Sequence, residues 1–200
     1  MSNLTIKHLS VAHIGPVDLE LNPGEMVCLS GASGSGKSLL LRAIADIIPA
    51  SGEITLDQHS HTSMPAPQWR RQVSLLPAES QWWHDRVGEH FSEVQHLDLE
   101  GFTQLGFKKD CLDWSVSRCS TGERQRLALL RLLAIKPKCL LLDEPTGSLD
   151  PANTRRVESM IVDLAQRQSV PVLWVSHSHE QIERIADRHF VMQDGTLVAA

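Results

Sequence analysis

Between Gly31 and Ser38 the chain reads Gly-Ala-Ser-Gly-Ser-Gly-Lys-Ser, the complete G-x-x-x-x-G-K-[ST] spacing of a phosphate-binding loop. No other stretch narrows the fold as far, because such a loop works between a strand and the start of a helix. Both flanks are present. Met26-Val27-Cys28-Leu29 is a short apolar run that reads as a buried strand, and residues 39–48 read as a helix stopping before Pro49. Gly31, Gly34 and Gly36 allow dihedrals that a Cβ forbids. Backbone N–H groups from Gly31, Ala32, Ser33, Gly34, Ser35 and Gly36 through Ser38 and Leu39 can then turn inward and cradle phosphate oxygens. Lys37 supplies positive charge for β/γ-phosphates, and the Ser38 hydroxyl suits Mg²⁺. The spacing alone arises by chance in roughly one chain in a hundred of this length. The strand before it and the helix after it make nucleotide binding the reading.

Two hundred residues suffice for one domain with a sizeable core, or one domain carrying an inserted subdomain. The formal net charge of −5 gives no electrostatic footprint for nucleic acid. No run of eighteen apolar residues is present, and the N-terminus lacks a basic region followed by an apolar stretch. The chain is therefore expected in the cytosol. Cys28, Cys111, Cys119 and Cys139 form no C-x-x-C pair and read as free thiols of a reducing compartment. His59 and His61 read as solvated residues in a polar loop.

Residues 4–21 read as two strands, with Val17, Leu19 and Leu21 alternating with Asp18 and Glu20. Residues 53–56 and 73–76 read as strands, and residues 57–68 as a polar, Pro-containing loop. Residues 79–118 change character: Val87, Phe91 and Val94, then Leu99, Phe102 and Leu105, return at helical intervals. They are expected to form short helices of an inserted subdomain covering 79–135, with residues 1–78 and 136–200 as the core. Trp82 and Trp83 cannot both face one core from a regular element, so one is expected at the surface, where large aromatics mark partner surfaces. Ser120 and Glu123 form a capping-box pattern opening a helix to about residue 135. Cys139-Leu140-Leu141-Leu142 is apolar throughout, as suits a parallel strand covered on both faces. A helix over 151–168, a strand over 170–175, a helix over 179–187 and a hairpin at Asp194-Gly195 complete the chain.

Asp143 and Glu144 stand at the carboxyl end of the buried run, where open α/β sheets bind ligands. A carboxylate there can hold Mg²⁺, and a second beside it can act as a general base on water.

With these segments in order, the chain resembles the ATP-binding cassette family, the ATPase subunits of ABC transporters. Gly31 to Ser38 matches the phosphate loop, and Cys119 to Arg126 resembles the family's signature stretch. Leu140 to Glu144 matches the acidic strand end, Ser148-Leu149-Asp150 the short interface segment, and His177 the histidine after the next strand. The resemblance implies an α/β fold: a P-loop NTPase core with a mostly parallel sheet, N-terminal antiparallel strands and an inserted α-helical subdomain. It implies ATP with Mg²⁺ held by Ser38 and Asp143, and hydrolysis by Glu144 and His177. It also implies a head-to-tail homodimer when ATP-bound, in which Ser120, Gly122 and Asp150 meet the nucleotide of the partner subunit. The partner in transport is an integral-membrane permease, which holds the subunit on the inner face of the membrane; no nucleic acid is implied.

Four departures stand out. Ala78 occupies the place of a glutamine that reaches the Mg²⁺, with Glu79 and Gln81 as candidate substitutes. Thr121 replaces a signature glycine, and Glu123 the final signature glutamine. The chain has no tyrosine, so His13 is the candidate for stacking on adenine. The compact cassette resembles small exporter ATPases, and the segment Val172 to His177 resembles the iron-export type. Two alternatives remain: a soluble, non-transport ABC ATPase, and a module that binds ATP with little turnover.

Overall fold

The computed structural model describes residues 2–91 and 99–200; Val94 lies outside the described residues. The chain opens with β1 (Leu4–Val11) and β2 (Ile14–Leu21), paired antiparallel from Leu4↔Leu21 to Val11↔Ile14. Alternation writes their burial: Val17, Leu19 and Leu21 are buried, while Asp18 and Glu20 are exposed. After a turn come β3 (Met26–Ser30) and α1 (Lys37–Ile44), then β4 (Ser51–Leu56) and the short β5 (His59–Ser60). β2, β1, β4 and β5, in that order, form a four-stranded antiparallel sheet.

α1 is shorter than the sequence suggests. Asp46 takes a left-handed φ of 55°, which turns the chain out of the helix. The carbonyls released there are used: Trp69 Nε1 donates to Ile44 O at 2.9 Å, and Arg70 Nη2 donates to Asp46 O at 2.6 Å. Both donors lie on α2 (Ala66–Gln72), an element falling partly in the segment expected to be loop. Its prolines signal a helix start rather than a loop, since Pro67 sits in the first turn, where no N–H is needed.

β6 (Val73–Leu76) follows. The described residues between 79 and 118 carry 3-10 turns and the one-and-a-half-turn helix α3 (Leu99–Gln104), before α4 (Thr121–Ala134). The remainder alternates: β7 (Cys139–Asp143), α5 (Pro151–Gln168), β8 (Val172–Val175), α6 (His179–Ile185), β9 (Arg188–Gln193) and β10 (Thr196–Ala199). The second sheet has the order β10-β9-β3-β8-β7-β6, parallel except for the terminal hairpin.

Successive residues of its central strands feed opposite cores. Cys28, Leu140, Leu142, Val172 and Trp174 pack with α4 and α5 on one face. Val27, Leu29, Leu141, Leu173 and Val175 pack with α1, Trp69 and the antiparallel sheet on the other. A strand covered on both faces has no position for a polar residue, which is why these runs are continuous. All four cysteines are free and buried, and burial pushes the Cys28 thiol up to about 12, so it stays protonated. No helix among the described residues is long and apolar enough to cross a membrane.

Candidate active site

β3, β8 and β7 are neighbours, and their carboxyl ends are level. Leu29 pairs with Val175, and Asp143 pairs with the same Val175. The register therefore brings the loop after β3, Asp143-Glu144 after β7 and Ser176-His177 after β8 to one edge of the sheet. Ser176 N donates to Leu29 O at 3.1 Å, and Glu144 N to Val175 O at 3.2 Å, extending the ladder into the site.

Two glycines shape the loop through close approach. Gly31 has φ 139°, and a Cβ there would meet Met192 O at 2.5 Å. Gly36 has φ 106°, and a Cβ would lie 2.4 Å from Ile14 Cδ1. Ile14 thereby ties the β1–β2 turn to the loop, which leaves exposed His13 next to it in sequence. Lys37 is 6% exposed, and its ammonium folds back to donate to Gly31 O at 2.9 Å and Ala32 O at 2.8 Å. Burial holds its pKa below the ordinary lysine value, against the opposing pull of Glu144 and Asp143.

Asp143 is buried, and its Oδ1 has no hydrogen-bond partner among the described residues. Burial raises its carboxyl pKa, while a hydrogen bond with Ser38 opposes that rise. A buried carboxylate oxygen without a partner, beside a hydroxyl, is a donor set that fits a hard divalent cation. Glu144 has φ 48°, a left-handed conformation unusual outside glycine and concentrated at functional positions. Its Oε1 lies 3.0 Å from His177 Nε2, and both side chains are close to half exposed. The pair offers an acceptor and an imidazole to a water beside the loop.

Ser120, Gly122 and Asp150 form a second group, built on two helix starts. Ser120 Oγ accepts from Glu123 N at 3.2 Å, and Glu123 Oε2 accepts from Ser120 N at 2.8 Å, the full capping box of α4. The glutamate that departs from the signature thus closes the helix start. Asp150 caps α5, accepting from Asn153 N at 2.9 Å, and that bond holds its carboxyl below the usual range. A Cβ on Gly122 would stand 3.0 Å from Leu149 Cδ2, so the two helix starts touch.

Ala78, Glu79 and Gln81 are exposed, and the backbone carbonyl of Gln81 accepts from Arg131 Nη2 at 3.0 Å. The segment is bolted to α4 by Ser80 and by Gln125, a residue of the signature stretch to which the sequence assigned no role of its own. Gln125 Nε2 donates to Pro77 O at 3.3 Å, and Ser80 Oγ donates to Gln125 Oε1 at 3.0 Å. Gln125 is buried four residues before buried Leu129, and Gln181 four before buried Ile185. A polar residue at core spacing on a helix was the available signal.

Trp83 is 64% exposed, whereas Trp82 packs partly against the core. The Arg131 guanidinium lies 4.6 Å from the Trp82 ring and 4.7 Å from the Trp83 ring. Trp83, Leu132, Ile135 and Ile47 line a cleft of about 410 Å³. His90 sets the turn beneath it. Its Nδ1 donates to Arg86 O at 3.0 Å, leaving Nε2 to accept from Trp83 N at 3.0 Å and His84 N at 3.1 Å. Burial, reinforced by nearby Arg131 and His84, holds its pKa below the ordinary histidine value. The unfolded chain therefore takes up this proton first as pH falls. Stability present above about pH 6.5 is lost below it. The melting temperature is expected to drop between neutral and mildly acidic pH, with a shallower drop in His90→Gln; equal slopes would contradict this role.

A model of the ABC transporter family matches residues 14–147. The thiamine import ATP-binding protein ThiQ of Escherichia coli (strain K12) is 36% identical to this chain, covering 90% of it and 82% of ThiQ. The aliphatic sulfonates import ATP-binding protein SsuB 3 of Nocardia farcinica (strain IFM 10152) is 35% identical, covering 90% of this chain and 71% of its own length. In fold, the ATP-binding cassette MJ0796, solved as a dimer in a post-hydrolysis state with ADP and Pi, superposes with a TM-score of 0.84. That match is 20% identical and covers 97% of this chain and 96% of that one. The chain belongs to the ABC transporter family. Within it, this chain is an ATP-binding subunit and an ATPase.

Proposed function

We propose that this subunit closes on a second copy of itself around ATP and drives an integral-membrane permease, with Glu144 and His177 as its hydrolytic pair. The observation that carries the reading is the 3.0 Å contact between Glu144 Oε1 and His177 Nε2 beside the phosphate loop. Lys37 exchanges the carbonyls of Gly31 and Ala32 for the β/γ-phosphates. The N–H groups of residues 31–39 hold the remaining phosphate oxygens. Ser38 and Asp143 would hold Mg²⁺, which when bound neutralises phosphate charge. Glu144 takes the proton of the attacking water, and His177 orients that water and the γ-phosphate. Ser120 and Gly122 at the start of α4, with Asp150, face the nucleotide of the partner subunit, and His13 stacks on adenine. Residues 79–135 form the helical subdomain. The two relatives are named for import, which favours that direction. Phosphate release by the purified chain, together with ATP titration, tests the reading; tight binding without release would support the alternative of a binding module.

The cleft beside Trp83 is the surface for the permease. An exposed indole held by Arg131 is an anchor of the kind found at binding hot spots. Trp83→Ala is expected to leave ATP affinity unchanged and to weaken the complex with the permease by about 2 kcal/mol or more. Co-purification of the two subunits reads this out, and undiminished recovery of the permease would refute it.

A further inference from the structure

Gln181 lies outside every motif named above, yet it is 4% exposed and holds four separate elements together. Its Oε1 accepts from Ser176 Oγ at 2.7 Å, the residue immediately before His177. Its Nε2 donates to Thr146 Oγ1 at 3.0 Å, two residues after Glu144, and to Glu158 Oε1 at 2.8 Å. Glu158 accepts only, so the amide nitrogen must face it and the amide oxygen must face Ser176. Glu158 is held in turn by Arg184, through Nε to Oε2 at 2.8 Å and Nη2 to Oε1 at 2.6 Å. Burial alone would raise the Glu158 carboxyl, but the hydrogen bonds from Arg184 and Gln181 outweigh it and keep the group ionised. Ser176 Oγ also accepts from Ser178 N at 3.1 Å, and Ser178 Oγ caps α6 by accepting from Gln181 N at 3.3 Å. The residues on either side of His177 are thereby fixed.

We infer that Gln181 is the positioning residue of the hydrolytic pair: one amide sets the separation between the loop that carries Glu144 and the loop that carries His177, with the Glu158–Arg184 pair fixing its orientation. The inference rests on the hydrolytic reading given above. Hydrolysis requires both side chains to meet one water, and small misplacements of such groups are costly. Among the described residues the hydrogen bonds of Gln181 go to Thr146, Ser176, Ser178 and Glu158 and none to the phosphate loop, so its loss should reach turnover before it reaches ATP affinity.

The test is steady-state ATP hydrolysis by the full chain, with ATP affinity measured separately by equilibrium titration. Gln181→Glu removes the donor and sets a second carboxylate against Glu158. The expected result is a fall in kcat of about 10–100-fold at unchanged ATP affinity. Gln181→Met keeps the approximate shape of the side chain but removes both its donor and its acceptor without adding charge, and is expected to lower kcat to a similar extent at unchanged ATP affinity, which a merely misfolded variant could not do. Wild-type kcat in either variant would overturn the inference. So would a loss of ATP affinity in step with the loss of rate. Failure of the hydrolytic reading shows separately, as full turnover in Glu144→Gln with Gln181 intact, and would remove the basis of both.

Discussion

Glu144→Gln is expected to cut ATP hydrolysis by about 10²–10⁴-fold while leaving ATP binding intact, because it removes a positioned base and little else. The substitution keeps the size of the side chain and its ability to meet His177 Nε2, now 3.0 Å from the carboxylate. It also removes one of the two negative charges that face Lys37. Electrostatic repulsion between the site and the γ-phosphate falls, so binding is maintained or tightened. With hydrolysis blocked, the ATP-bound dimer should persist and elute ahead of the monomer on size-exclusion chromatography. Monomeric elution with saturating ATP, or undiminished phosphate release, would remove Glu144 from the role of base.

Lys37→Ala acts earlier, on binding itself. The Lys37 ammonium is buried at the centre of the loop and already satisfied by two carbonyls, at 2.9 Å and 2.8 Å. Alanine leaves both carbonyls without this donor and takes away the charge aimed at the phosphates. A hydrogen bond to a charged group contributes about 1.5–3 kcal/mol, so ATP affinity should fall by about 10–100-fold or more. Direct titration of the purified variant measures this, and wild-type affinity would show that the loop does not hold the β/γ-phosphates.

What the sequence discloses depends on how far apart the participating residues are. The loop is legible because its geometry is local: eight consecutive residues carry the glycines, the cation and the hydroxyl together. The helix over 151–168 and the capping box at Ser120 are legible for the same reason. The split fate of Trp82 and Trp83 follows from side-chain alternation along an irregular segment. The approach of His177 to Glu144 spans 33 residues and depends on β7 lying beside β8, a pairing that no local pattern encodes. It entered through the resemblance. α2 was hidden because Pro65 and Pro67 read as loop residues, although proline suits a first helical turn. Gln125, Glu158 and Gln181 were hidden because polar residues on helices read as solvent-facing, and only their packing shows them buried and paired.

The central claim is that Glu144 and His177 act on one water as a unit. A double-mutant cycle on phosphate release at saturating ATP tests it most directly, using Glu144→Gln, His177→Ala and the two combined. Groups that work as a unit are strongly non-additive. The account expects the double variant to be no slower than the slower single one. A double variant slowed by the product of the two single effects would contradict it.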